Sequence, residues 1–119
     1  LADIYKIEVY ALARDLNKQF NQPIPERTLS RAPTAELRDN QTDQDSLPPY
    51  NKLDDVLFRH IEQLHDFERI CEETQYPARE VQRILQLVHN SEHKRLQRPL
   101  GLCASVRPFR DGWRMPIAK

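Results

Sequence analysis

The clearest secondary-structure signal in the sequence is PAREVQRILQLVHN, residues 77–90. Its apolar residues recur at i, i+3, i+4 and i+7, which is the spacing of one face of an α-helix. The residues of this stripe are Val81, Ile84, Leu85 and Val88. Pro77 suits the first position of a helix, and Pro99 cannot continue one. The pattern therefore predicts a helix over residues 77–97.

Two further helices are predicted on the N-terminal side of this stretch. Residues 3–20 carry one apolar stripe, with Asp3 as a candidate N-cap and Pro23 just beyond the end. Residues 53–71 carry the second stripe. The stripe residues are Tyr5, Val9, Leu12, Leu16 and Phe20 in the first, and Leu53, Val56, Leu57, Ile61 and Leu64 in the second. Residues 1–119 thus predict three helices and a thin apolar core for a chain of this length.

Residues 30–51 form the long connection between the first two predicted helices, and they show neither a helical nor a strand period. The segment is polar, locally acidic and closed by Pro48-Pro49. Loops of this length are uncommon inside compact domains unless they are functional or disordered. Composition alone leaves two interpretations open, a solvated linker and a lid over a binding site.

Composition excludes several classes of protein. The chain has 119 residues, nine prolines and only two glycines, Gly101 and Gly112. A glycine-rich phosphate loop therefore cannot be built before residue 101. No apolar run approaches the roughly 20 residues of a membrane span, so no membrane association is expected. Two cysteines without metal-ligand spacing, Cys71 and Cys103, fit a reducing, cytoplasmic setting.

The net charge of zero conceals an asymmetry along the chain. Residues 91–119 hold seven basic and two acidic residues, a balance of +5, and the preceding residues hold the opposite excess. Such an arrangement indicates an anionic partner or packing of one segment against the other. Nucleic acid is not the expected partner, because the overall charge is zero and no basic–aromatic interleaving occurs.

Two clusters of side chains on the last predicted helix are candidates for ligand binding. His89 and His93 are four residues apart and share a helical face, but no third metal ligand lies at a useful offset. No metal site is therefore predicted in the chain. His93, Lys94, Arg95 and Arg98 form the densest cationic cluster, which suits either the helix C-terminus or a bound carboxylate or phosphate.

Several motifs, taken in order along nearly the whole chain, are similar to a known family. They are KIEVYALARDLN at residues 6–17, RAPTAELR at 31–38, QTDQDSLPPY at 41–50, SEHKRLQ at 91–97 and RMPI at 114–117. Together they resemble the C-terminal part of NAD+ synthetases. The DSLPPY run and the RMPI ending resemble the glutamine-dependent branch more than the short ammonia-only enzymes.

The resemblance implies a fold and a reaction. The fold is α/β, and this chain would be the C-terminal, mainly helical part of an adenine-nucleotide α hydrolase-like, Rossmann-related synthetase domain. The family uses ATP to adenylate the carboxylate of deamido-NAD, and ammonia then displaces AMP to give NAD+. A separate domain releases that ammonia from glutamine, Mg²⁺ accompanies ATP, and the synthetase domain pairs as a homo-oligomer.

The resemblance also implies roles for four residues. Lys6 and Thr34 match residues that contact ATP, Lys94 matches the lysine that reaches deamido-NAD, and His93 matches the position beside it. Residues 34–49 resemble a mobile segment over the reacting centre, which favours the lid interpretation of the loop.

The phosphate loop of the family, Ser-Gly-Gly-x-Asp-Ser, and its magnesium-binding acids are expected upstream of Leu1. We accordingly expect this chain to be part of a longer polypeptide and to be inactive alone. The alternative is a non-catalytic helical interaction module derived from the same family.

Overall fold

The computed structural model describes residues 3–31, 33, 47–97 and 101–108, and within these ranges all regular secondary structure is helical. The helices are α1 (Lys6–Gln19), α2 (Glu26–Ser30), α3 (Tyr50–Leu57), a π-helical segment (Phe58–Glu62), α4 (Phe67–Thr74), α5 (Ala78–Asn90) and α6 (Glu92–Gln97). No helix in the described ranges is both long and apolar enough to cross a membrane. Thr34 and most of the loop predicted at 30–51 lie outside the described residues.

The core lies where α3, α4 and α5 meet. Its central cluster is fully or almost fully buried and consists of Val56, Ile70, Val81 and Ile84. Partly buried side chains surround it, among them Leu53, Phe67 and Tyr76. The stripe that predicted the third helix is therefore the face that α5 turns toward its neighbours.

Helix α3 and the π-helical segment that continues it run beside α5 in the same direction, as two contacts show. Near their N-termini, Lys52 Nζ lies 2.9 Å from Glu80 Oε2. Toward the other end, the rings of His60 and His89 meet edge to face with centroids 6.5 Å apart. Because the Lys52–Glu80 pair is partly solvated, it contributes at most about 1 kcal/mol to stability.

The predicted helix over residues 53–71 is divided in the structure. It begins at Tyr50, changes to π-helical geometry at Phe58 and ends before Leu64, whose φ of 58° is left-handed. Leu64 continues the apolar stripe in sequence, but its side chain is 54% exposed. Helix α4 then starts anew after Asp66, whose carboxylate accepts the Arg69 N–H at 2.9 Å. This N-cap provides the start signal for the second piece.

The predicted helix over residues 77–97 is also interrupted, at Ser91. The Ser91 hydroxyl donates to the Val88 carbonyl oxygen at 3.1 Å. A serine that bonds back to the preceding turn competes with helical continuation. Helix α5 therefore ends at Asn90, and α6 is a separate short helix.

Helix α1 lies within the predicted range 3–20, and none of its side chains is buried. Leu12 is 40% exposed and Phe20 is 63% exposed, so the described residues leave much of its apolar stripe uncovered. Asp3 is not its N-cap, as the sequence had suggested, since that position belongs to Tyr5. A carboxylate from another helix takes over this function, as described below.

Turns with positive φ are made here without glycine. Asn21, Gln22, Leu64 and Gln75 all have φ between 56° and 58°. Asparagine tolerates this region better than most residues do, whereas a branched side chain such as leucine is rare there. The scarcity of glycine in the sequence is thus compatible with sharp helix ends.

Candidate functional site

A cleft of about 210 Å³ lies where three segments of the chain meet. Residues 3–6 form its first wall, and Asp54 and Leu57 of α3 form its second. Ser105 and Arg107 complete it from the segment 101–108. The cleft therefore combines the start of α1 with residues about 50 and 100 positions away along the chain.

The ammonium group of Lys6, a lining residue of this cleft, lies near two aromatic rings. Its ammonium nitrogen lies 5.7 Å from the ring centroid of Tyr10 and 5.8 Å from that of Tyr50. Both distances are within the range of cation–π attraction. Tyr10 lies one helical turn further along α1, and Tyr50 is the first residue of α3. The two rings restrict where the Lys6 side chain can point without neutralising its charge.

Asp54 fixes the helix turn that carries Lys6. Its Oδ2 accepts the backbone N–H of Ile7 at 2.8 Å, and the Lys6 N–H also donates to this carboxylate. Asp54 is 8% exposed, and burial raises its pKa above the ordinary aspartate value, although the two N–H donors and the Lys6 charge oppose that rise. Because free N–H groups and the helix dipole make a helix start positive, a carboxylate is favourable there.

Tyr5 closes the opposite side of the α1 start. Its ring meets that of Phe58 edge to face, with centroids 6.3 Å apart, and its hydroxyl is bonded to Glu62. Burial, followed by the Glu62 hydrogen bond and nearby carboxylates, raises the pKa of the phenol strongly. Like any tyrosine below its ordinary pKa of about 10, the phenol is protonated at neutral pH, and it acts as a hydrogen-bond donor to Glu62.

Asp3 holds the segment 101–108 against the start of α1. Its Oδ2 accepts the backbone N–H of Ala104 at 2.8 Å. The same oxygen accepts the backbone N–H and the hydroxyl of Ser105, each at 2.9 Å. We call this set of three bonds the Asp3 latch. It places Arg107, two residues further on, at the cleft.

Comparison with known proteins gives this cleft a family context. The sequence matches the NAD synthase family model over residues 1–98. The chain belongs to the NAD synthase family. The resemblance inferred from the motifs is confirmed, and so is the mainly helical character expected for this part of the synthetase fold.

Named relatives of this NAD synthase chain are glutamine-dependent enzymes. It is 46% identical over 118 residues to the glutamine-dependent NAD(+) synthetase of Xanthomonas campestris pv. campestris (strain 8004), covering 98% of this chain and 21% of that protein. It is 42% identical over 117 residues to that of Aquifex aeolicus (strain VF5), covering 98% and 20%. The chain thus spans about a fifth of the length of these relatives.

A solved structure is similar over the same extent. It is the glutamine-dependent NAD+ synthetase from Acinetobacter baumannii in complex with adenosine diphosphate, with 31% sequence identity and a TM-score of 0.56. The match covers 98% of this chain and 20% of that one. The helical arrangement described above therefore occurs in an experimentally determined member of the family.

The residues predicted for the NAD synthase site occupy different places. Lys6 lies at the cleft, whereas His93 and Lys94 are exposed on α6. The imidazole Nδ1 of His93 lies 3.1 Å from the carbonyl oxygen of Asn90, the last residue of α5. Thr34 falls outside the described residues. Within the described ranges, no hydrogen bond, ion pair or ring contact joins Lys6 to His93 or Lys94.

The shared histidine face suggested by the sequence does not form a metal site in the described ranges. His89 makes its ring contact with His60, and burial lowers the pKa of His60 below the ordinary histidine value. No group of three or more His, Cys, Asp or Glu side chains among the described residues is placed to hold a metal ion. His60 and His89 therefore belong to the packing between helices.

Sequence reasoning missed Asp3, Asp54 and Arg107 as residues of the cleft. Asp54 lies near the start of α3, where an acidic residue commonly caps its own helix, but it caps another helix 47 positions away. In the sequence, Arg107 is only one of the seven basic residues within 91–119. Its position depends on the Asp3 latch, which spans about 100 residues and has no local sequence signal.

Proposed function

We propose that this chain forms part of the ATP and deamido-NAD site of a glutamine-dependent NAD+ synthetase. The observation that carries the proposal is the family match over residues 1–98, together with 42–46% identity to synthetases of that name. The cleft beside Lys6 supports it, because a cation held in place at a concave surface is suited to phosphate.

The proposed reaction has two steps. A carboxylate oxygen of deamido-NAD attacks the α-phosphorus of ATP. The bond from this phosphorus to the oxygen that bridges the α- and β-phosphates breaks, and pyrophosphate leaves. Ammonia then attacks the carbonyl carbon, its nitrogen loses a proton to the solvent, and AMP leaves with the electrons of the broken C–O bond to give the amide of NAD+. Pyrophosphate and AMP are good leaving groups, whereas the oxygen of a free carboxylate is not.

Lys6 is the residue of this chain that we assign to ATP. Negative charge shifts toward the leaving pyrophosphate as the α–β bond breaks, and a fixed cation stabilises that charge without reorganising. The Tyr10 and Tyr50 rings limit the freedom of the side chain, and Asp54 fixes the helix turn beneath it. Thr34 is proposed as a second ATP contact by resemblance.

Lys94 and His93 are proposed contacts of deamido-NAD. Both are exposed on α6, where the side chains are accessible to a ligand. Mg²⁺ is expected to accompany ATP, but the described residues do not fit a magnesium site, because they contain no group of three suitable ligands. No step is therefore assigned to the metal. Ammonia released from glutamine elsewhere in the protein, a cytoplasmic location and a homo-oligomeric state complete the proposal.

Substitution of Lys6 tests the proposal in the full-length gene product. We expect Lys6→Ala to raise KM for ATP by about tenfold or more, which corresponds to about 1.4 kcal/mol. Lys18→Ala is the matched control, because Lys18 is an exposed lysine on the same helix, away from the cleft. An unchanged KM in Lys6→Ala, with NAD+ formation intact, contradicts the assignment of Lys6.

Two further observations separate the enzyme from a non-catalytic helical module. The reading frame that contains Leu1 should continue upstream through a Ser-Gly-Gly-x-Asp-Ser motif. The isolated 119-residue chain should form no NAD+ from deamido-NAD, ATP and ammonia. A start codon directly before Leu1 contradicts the enzyme assignment, and turnover by the isolated chain contradicts the expectation that the catalytic site is shared with other segments.

A further inference from the structure

The segment 101–108 has no helix or strand, yet it is fastened to the rest of the chain at a defined point. The Asp3 latch consists of two backbone N–H donors and one hydroxyl donor on a single carboxylate oxygen, at 2.8–2.9 Å. Hydrogen bonds to an ionised acceptor are stronger than those between neutral groups. Three of them on adjacent residues fix both the position and the direction of the chain at Ser105.

The direction of the chain beyond Ser105 brings Arg107 to the wall of the cleft that Lys6 shares. Two cations from distant parts of the sequence therefore border one concavity. In the described ranges, neither makes an ion pair within 4 Å with a carboxylate. The two acids that also line the cleft, Asp3 and Asp54, already accept N–H donors from the backbone.

We propose that Arg107 is a second nucleotide-binding cation of this site and contacts the ATP phosphates together with Lys6. The inference rests on the proposed function, because Lys6 supplies the assignment of the ligand. A guanidinium presents several N–H donors in a plane and can bind two phosphate oxygens at once, whereas an ammonium acts as a point charge. The pair thus combines strong attraction with an orientational constraint on the phosphate chain.

Asp3 is then a positioning residue for Arg107. It contacts the segment 101–108 through the latch and acts on the ligand only by holding Arg107 at the cleft. Removing the carboxylate frees residues 104 and 105, and the guanidinium loses its place beside Lys6. Asp3 and Arg107 should therefore not contribute independently to ATP binding.

The test is calorimetric titration of ATP, without deamido-NAD, into the full-length gene product and its variants. We expect Arg107→Ala to raise Kd for ATP about tenfold and Arg107→Lys about threefold, because lysine keeps the charge but not the fork of donors. The matched control is Arg79→Ala, an exposed arginine of α5 away from the cleft, with Kd within about twofold of the parent.

Asp3→Ala should raise Kd for ATP in the same direction, and the double variant Asp3→Ala/Arg107→Ala should be no weaker than Arg107→Ala alone. Such non-additivity is the signature of two residues acting through one contact. Independent, additive losses contradict the positioning role of Asp3. A separate titration with deamido-NAD should give an unchanged Kd in all these variants.

The outcomes distinguish this inference from the proposed function. If Lys6→Ala weakens ATP binding and Arg107→Ala does not, Arg107 is excluded from the site and the proposed function stands. If neither weakens it, the assignment of Lys6 fails as well. Equal losses for ATP and deamido-NAD in Arg107→Ala indicate a general structural role and overturn the inference. Should Arg107→Ala unfold, the comparison of Arg107→Lys with Arg107→Gln decides the same question.

Discussion

Replacing Asp54 should release helix α1 from the rest of the structure. This buried carboxylate accepts the N–H groups of Lys6 and Ile7, and in the part of the chain that the structure describes no side chain of α1 is buried. Hydrogen bonds to a charged group contribute about 1.5–3 kcal/mol each, and loss of an N-cap costs about 0.5–2 kcal/mol. Because burial of the carboxylate offsets part of that gain, we expect a net cost of about 2 kcal/mol for Asp54→Ala.

Hydrogen exchange followed by mass spectrometry measures this effect locally in the full-length gene product. A cost of about 2 kcal/mol makes local opening of α1 about 30-fold more frequent, so amides of peptide 6–19 should exchange faster by that factor. Asp54→Asn keeps one neutral acceptor, and about half the cost is expected, which is a factor of about five. Exchange in α5 should not change.

Asp55→Ala is the matched control for Asp54. The neighbouring carboxylate pairs with Arg59 at 3.0 Å on the partly solvated side of the helix, and it makes no contact with α1 in the described ranges. We expect exchange in α1 to stay within about twofold in this variant. An increase below about threefold in Asp54→Ala, or an equal increase in α5, refutes the reasoning that Asp54 holds α1.

Three further predictions concern other parts of the chain. Lys94→Ala should lower kcat/KM for deamido-NAD at least about tenfold, or about 1.4 kcal/mol, with KM for ATP unchanged; steady-state kinetics of the full-length protein checks both values. Because burial lowers the pKa of His60, the contribution of this residue to the free energy of unfolding should be complete above about pH 6.5 and decrease as the pH falls below that value. Denaturant titrations should therefore show that His60→Gln loses less unfolding free energy between pH 7.5 and pH 5.5 than the parent protein does. Ile84→Ala, in the centre of the core, should cost about 2–4 kcal/mol, whereas Leu102→Ala, at a position 93% exposed, should change stability by less than about 0.5 kcal/mol in the same titrations.

Features that depend on local periodicity could be predicted from the sequence. The stripe of α5 and the end of α1 before Pro23 follow from the spacing of apolar residues and from the backbone limits of proline. The division of the second helix could not be predicted in this way. Leu64 keeps the helical period, and the left-handed backbone there shows only in three dimensions.

Features that depend on contacts between distant residues could not be predicted from the spacing of residues in the sequence. Lys6 was found through its motif, but the tyrosine rings and the carboxylate that position it come from another helix or another turn. The sequence suggests Asp3 as the cap of its own helix, and Asp54 lies near the start of α3, where an acidic residue commonly has the same role. Each instead serves a segment about 50 or 100 residues away, where no local rule applies.

The Asp3 latch also sets an order of events during synthesis. Asp3 and Ser105 are 102 positions apart, so the bond between them cannot form until the ribosome has added residue 105. At roughly 5–20 residues per second, that delay lasts about 5–20 s. The residues of α3, α4 and α5 are complete well before then and are free to pack. The cleft beside Lys6 is therefore completed after these three helices have been synthesised, and a nascent chain that stops before residue 104 lacks the latch.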